Sequence, residues 1–223
     1  MLLDKKIRKN SDGEYIMAYA NHFDEAVEYA CQIGITQILF RGVVGSVDAK
    51  IDFTGLEKLS KHLRVISFAD QLENIANFES IYSLNRLERI YFQSKQHFTI
   101  DISKFSNLVH LGGEYWKGLV NFNQALSLKS IVMIKFPYSD CIQFSKLENL
   151  ATLHIYGSKI KSLSGIEVLP IENLVLARNN LLEDIQAIYQ LKRLQRINVE
   201  KCKKIDYDFI KSLDKGIKVE IIK

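Results

Sequence analysis

The feature that most constrains this chain is a six-residue pattern, apolar-x-x-apolar-x-apolar, that returns every 20 to 28 residues over most of its length. It reads ITQILF from Ile35, LRVISF from Leu63, LERIYF from Leu87, LVHLGG from Leu108 and LKSIVM from Leu128. It continues as LATLHI from Leu150, IENLVL from Ile171, LQRINV from Leu194 and, more weakly, GIKVEI from Gly216. Successive starts lie 28, 24, 21, 20, 22, 21, 23 and 22 residues apart, a spacing that random apolar clustering would not hold.

Within each unit the fourth and sixth positions are apolar, and the third, fifth and seventh mostly are not. That alternation predicts a short strand with one buried face. The residues between strands must return the chain to the next start. They carry further apolar anchors, such as Ile160, Leu163, Ile166 and Leu169. A single unit cannot bury its own apolar edge, whereas stacked units share a continuous core with a parallel sheet on one side.

The segments LATLHIYGSKIKSLSGIEVL and IENLVLARNNLLEDI resemble the leucine-rich repeat, in the 22-residue class found in bacterial internalins. The resemblance covers about residues 35 to 223. It implies an α/β fold: a leucine-rich-repeat solenoid with a curved parallel sheet on its concave face and irregular or helical return arcs. The family's consensus asparagine, three residues after the sixth position, survives at Asn179 alone. Gln71, Lys95, Trp116, Phe136, Ser158 and Cys202 stand at the equivalent places, which predicts an incomplete asparagine ladder. Gly112 and Gly113 replace strand residues and predict a weakened or bulged strand.

The terminal repeats need covering. In residues 22–34, Phe23, Ala26, Val27, Ala30 and Cys31 make one helical stripe and Gly34 a stop, so residues 1–34 read as an N-terminal cap with an amphipathic helix. Residues 35–223 then hold eight to nine repeats in one continuous domain. IDYDFIKSL predicts a last helical return and KVEII a last strand, whose Lys218 and Glu220, with Lys223 after them, would discourage edge-to-edge pairing.

Composition narrows the chemistry. A formal charge of +4 is too small to imply nucleic-acid binding, and 47% hydrophobic residues suit a globular domain. Cys31, Cys141 and Cys202 form no CxxC and no ligand cluster, so neither a metal site nor a disulfide framework is expected. The start of the chain lacks the apolar core of a signal peptide, and no segment approaches a membrane span, which together predict a reduced, cytoplasmic protein. No catalytic or cofactor motif is present: there is no GxSxG, P-loop, GxGxxG or HExxH. His110 and His154 are expected about 10 Å apart on an outward face, too far to share a metal ion. Cys141 reads as a buried apolar residue rather than a nucleophile.

What remains is a surface. Nine strands about 4.8 Å apart would present a concave face about 40 Å long. Its candidate partner-binding residues are Arg89, Tyr91, His110, Glu114, Tyr115, His154, Tyr156, Arg178 and Arg196, chosen as outward or mid-chain aromatic and charged side chains. Trp116 and Phe136 either join that surface or stack inside the turn, burial being favoured for large aromatics. The basic run Lys201, Lys203 and Lys204 reads as a solvated turn. The expected function is non-enzymatic protein binding without a cofactor, most specifically a cytoplasmic immunity or inhibitor protein that covers a toxin domain. A regulatory subunit or secreted effector fits the same features, and a nucleic-acid binder fits them less well.

Overall fold

The computed structural model describes residues 5–42, 51–213 and 216–223; the first four residues of the expected cap lie outside them. In chain order the strands and α-helices begin with β1 (Arg8–Asn10), β2 (Gly13–Tyr19), α1 (Phe23–Ile33), β3 (Gln37–Arg41) and β4 (Ile51–Asp52). They continue with β5 (Val65–Phe68), β6 (Ile75–Ala76), β7 (Arg89–Phe92), β8 (Ile100–Asp101), β9 (His110–Glu114) and β10 (Leu119–Val120). The last are β11 (Ser130–Ile134), β12 (Thr152–Tyr156), β13 (Asn173–Ala177), β14 (Arg196–Glu200), α2 (Tyr207–Lys211) and β15 (Lys218–Ile222). Two compact units result: Met1–Leu108 with Trp116–Val120, and Val109–Tyr115 with Asn121–Lys223.

In the first unit β2, β3, β5 and β7 run parallel in that order, with β1 antiparallel to β2 at the edge. The fourth repeat positions, Ile38, Ile66 and Ile90, align across the strands and are fully buried. The sixth positions are all phenylalanine, and Phe40, Phe68 and Phe92 stack in succession with ring centroids 5.4 and 5.0 Å apart. Phe23, Phe53, Phe78, Phe98 and Trp116 extend this aromatic core. On the return side, Asp52 and Asp101 each accept a hydrogen bond from the backbone two residues on and start a 3-10 turn.

Helix α1 matches the expected stripe: Phe23, Ala26, Val27 and Ala30 are buried, and Cys31 is half-buried. Asp24 and Glu25 complement the dipole of its first turn. Gly34 closes it at φ 63°, donating to the Ala30 and Cys31 carbonyls. The hairpin before it is absent from the sequence reading, which assigned the cap to a helix alone. Gly13 at φ 120° and an Asp12 amide bonded to Asn10 Oδ1 (2.9 Å) make its turn. Ile16 and Ala18 then alternate into the core.

In the second unit β9, β11, β12, β13, β14 and β15 are parallel in that order. Its inward row Leu111, Ile131, Leu153, Leu174 and Ile197 is buried, with Met133, Ile155, Leu176 and Val199 beside it. The strand through Gly112 and Gly113 corrects one expectation. All five of its residues pair with β11 in regular register, so there is no bulge on that side, although Gly113 takes φ 144°.

The asparagine ladder is incomplete, as expected, and other groups fill several of its places. Asn179 is fully buried; its Nδ2 donates to Ile155 O (2.8 Å) and its Oδ1 accepts from Ser158 N (2.9 Å). Ser158 Oγ accepts from Phe136 N (2.9 Å), and Cys202 Sγ lies 3.4 Å from Leu176 O. In the first unit the work of Lys95 passes to its neighbour. Buried Gln96 accepts from Leu72 N and donates to Asp70 O, both at 3.0 Å. Trp116 Nε1 donates to Phe98 O (2.8 Å). Other donors and acceptors thus stand in for most of the missing asparagines. Trp116 and Phe136 are both buried inside their turns, which decides between the two alternatives.

Candidate binding face

Register sorts the outward side chains of the second unit into three rows. The first is His110, Ser130, Thr152, Asn173, Arg196 and Lys218; the second is Gly112, Val132, His154, Val175, Asn198 and Glu220. The third is Glu114, Ile134, Tyr156, Ala177, Glu200 and Ile222. Val132, Ile134, His154, Tyr156 and Val175 are half-buried and form an apolar centre. Polar pairs border it: His110 Nδ1 with Ser130 Oγ (2.9 Å), Lys135 with Glu114 (3.0 Å) and Asn198 with Glu220 (3.2 Å).

The expected residues therefore separate. His154 and Tyr156 meet edge to face, with ring centroids 6.2 Å apart, and burial lowers the His154 pKa so that the neutral ring is favoured. His110 lies two strands and one row away from His154. Glu114 is tied to Lys135, and Arg196 is exposed at the start of β14. Tyr115 lies just past β9, packed edge-on against Phe136 with its hydroxyl 3.3 Å from that of Tyr138. Burial, then that hydrogen bond, pushes its pKa up to about 12. Buried Cys141 also has its thiol pushed up by burial, which removes nucleophilic character.

Arg178 follows β13 in a column the sequence reading did not single out. Lys135, Gly157, Arg178 and Lys201 each follow the last residue of a strand, and all take left-handed backbone at φ 56°, 54°, 56° and 47°. Each donates its N–H to the last residue of the next strand, at 2.7 to 2.9 Å: Tyr156, Ala177, Glu200 and Ile222. The fold demands that conformation whatever the side chain, and glycine at 157 was its one signal in the sequence.

Arg89 and Tyr91 belong to the first unit and are engaged within it. Arg89 Nη1 bonds Asp12 Oδ1 (2.9 Å), and its raised pKa comes first from a hydrogen bond with Tyr91. Asp12 sits in the β1–β2 turn, and β3 and β5 separate β2 from β7. The turn therefore lies across the outward face of this sheet, where Gln37, Val65 and Ser67 are buried.

The architecture has solved counterparts. Internalin C2 of Listeria monocytogenes is similar with a TM-score of 0.56 at 14% identity, over 89% of this chain and 83% of that one. The leucine-rich repeat domain of the type III effector XopL gives 0.55 at 15% identity, over 93% and 75%. The leucine-rich-repeat protein LIC12759 of Leptospira interrogans gives 0.53 at 20% identity, over 86% of this chain and 56% of that one. This chain has the leucine-rich-repeat fold.

No protein-family model matches this leucine-rich-repeat chain, and no curated protein matches it in sequence. The likeness to solved structures is one of repeat architecture. Among the described residues no helix is long and apolar enough to cross a membrane, and no group of His, Cys, Asp and Glu side chains is arranged to hold a metal ion.

Proposed function

We propose that this leucine-rich-repeat chain is a non-enzymatic protein-binding module that holds its partner on the outward strand face of the second unit. The observation that carries the reading is the arrangement of that face. Val132, Ile134, His154, Tyr156 and Val175 form an apolar and aromatic centre, and Glu114, Lys135, Asn198 and Glu220 form a paired polar rim. Protein interfaces are built on that plan, a desolvated centre inside a polar border. A face set on parallel strands is also pre-organised, which reduces the ordering cost of association.

The more specific reading is a cytoplasmic inhibitor, of the immunity-protein kind, that covers a toxic enzyme domain. Its support is an outward face continuous over six paired strands, broad enough to cover a folded domain. The test uses the purified full chain as bait in its source cell, beside Val132→Asp/Tyr156→Ala. Both substituted positions face outward, so the core is untouched. One stoichiometric protein retained by the wild type and lost by the variant is the expected result. The captured protein is then assayed with and without one equivalent of the chain, where inhibition is expected. Retention of nothing, of nucleic acid alone, or of the same protein by both baits overturns the module; capture without inhibition overturns the inhibitor.

A further inference from the structure

At the end of the second unit a hollow of about 540 Å³ is lined by Arg178, Asn180, Lys201, Lys203, Tyr207 and Lys223. Its size falls within the range of ligand sites, roughly 300 to 1,000 Å³. Every charged side chain on its wall is a cation. Lys201, Lys203 and Lys204 are exposed in the turn after β14, as expected, and Lys201 and Lys203 also line this concavity with Arg178 from the preceding repeat.

Three observations bear on what this hollow takes. Its walls are the alkyl stems of these long side chains and the ring of Tyr207, whose hydroxyl is already used in donating to Cys202 O (2.8 Å). Lys223 Nζ lies 5.5 Å from the centre of that ring, which helps to hold the cation beside the hollow. Two carboxylates already neighbour these cations: Glu200 is shared between Arg178 (3.4 Å) and Lys201 (4.0 Å), both exposed, and Asp208 interacts with Lys223, each a weak competitor at the surface.

The backbone fixes where two of the cations begin. Arg178 and Lys201 occupy left-handed positions, φ 56° and 47°, in the column where Gly157 sits without strain. The repeat imposes that conformation, which Lys135 shares, so it sets Arg178 and Lys201 at equivalent positions of adjacent strands beside the hollow.

We infer that the hollow bounded by Arg178, Lys201, Lys203 and Tyr207 binds a carboxylate-rich segment of a protein partner. The inference rests on the reading of the chain as a protein-binding module, and it assigns the charge of the partner. A phosphate backbone fits less well: four cations around one hollow, on a chain of net charge +4, make a local anchor rather than the stripe a nucleic acid tracks. Apolar stems between the cations suit carboxylates carried on a peptide.

The test measures binding of a fluorescein-labelled peptide of eight glutamates to the full chain by anisotropy, beside an eight-glutamine peptide and an eight-nucleotide single-stranded DNA. The glutamate peptide is expected to bind more tightly than either comparator, and more weakly as salt is added. Arg178→Gly/Lys201→Gly removes both charges at positions where glycine relaxes the backbone, so the variant is expected to keep or raise its melting temperature. Its affinity for the glutamate peptide is expected to fall about tenfold. Lys146→Gln/Lys192→Gln removes the same charge from exposed sites elsewhere and is expected to leave that affinity unchanged. DNA binding as tight as the glutamate peptide, equal weakening by the two variants, or no weakening by the glycine pair overturns the inference. None of those results bears on whether a protein is captured through Val132 and Tyr156, so the two readings fail separately.

Discussion

Asn179 is fully buried and bonded at both ends of its amide, so truncating it strands the Ser158 N–H and the Ile155 carbonyl where water does not reach. Each unsatisfied buried group costs about 1 to 3 kcal/mol, and Asn179→Ala is expected to lower unfolding free energy by about 2 to 4 kcal/mol. Lys95 occupies the equivalent place in an earlier repeat but is exposed, and its neighbour Gln96 carries the hydrogen bonds. Lys95→Ala should therefore change stability by no more than about 0.5 kcal/mol. Urea titrations of the two variants measure the contrast. Equal losses would mean that the ladder runs through the position in the repeat rather than through the atoms that bond.

The N-terminal hairpin makes the same point for a whole element. β1 and β2 add an antiparallel pair to an otherwise parallel sheet, and their turn reaches Arg89 on β7 through Asp12. Asp12 is well covered while Arg89 is partly exposed, so the pair is worth about 1 kcal/mol rather than the larger value of a desolvated one. Asp12→Ala is expected to shift the urea midpoint by about that amount. It should also speed amide exchange in Gly13–Tyr19 and around Val65 and Ser67, which the turn shelters. Exchange that rises in the hairpin alone would mean that the turn does not cover the outward face. No repeat period announces this element. Its signals are the short alternation Tyr15-Ile16-Met17-Ala18 and the turn Asn10–Gly13, both outside the repeats that organised the sequence reading.

At the scale of the whole molecule, the repeat period made the parallel strands legible because burying one face imposes the same alternation in every unit. The register follows for the same reason: Leu153 and Leu174 point inward, and His154 and Val175 point outward. The candidate face was legible only as positions. Which outward side chains remain open depends on non-repeating contacts, such as Asp12 on Arg89 or Glu114 on Lys135, and on backbone conformations that the neighbouring strand sets, as at Arg178 and Lys201. The three cysteines provide a probe of this packing in solution. Cys141 and Cys202 are fully buried, and burial raises both thiols above their ordinary pKa, so both accessibility and thiolate population oppose reaction. Cys31 is half-buried on α1, with its sulfur 3.6 Å from the Lys58 carbonyl. With a chromogenic disulfide reagent at pH 8, Cys31 is expected to react first. Cys141 and Cys202 should follow more slowly, at rates that track local opening of the second unit, and all three should react together in guanidinium. Substituting Cys31 by serine should remove only the first phase. Rapid reaction of all three thiols in the native protein would contradict the buried core that holds the outward rows in register.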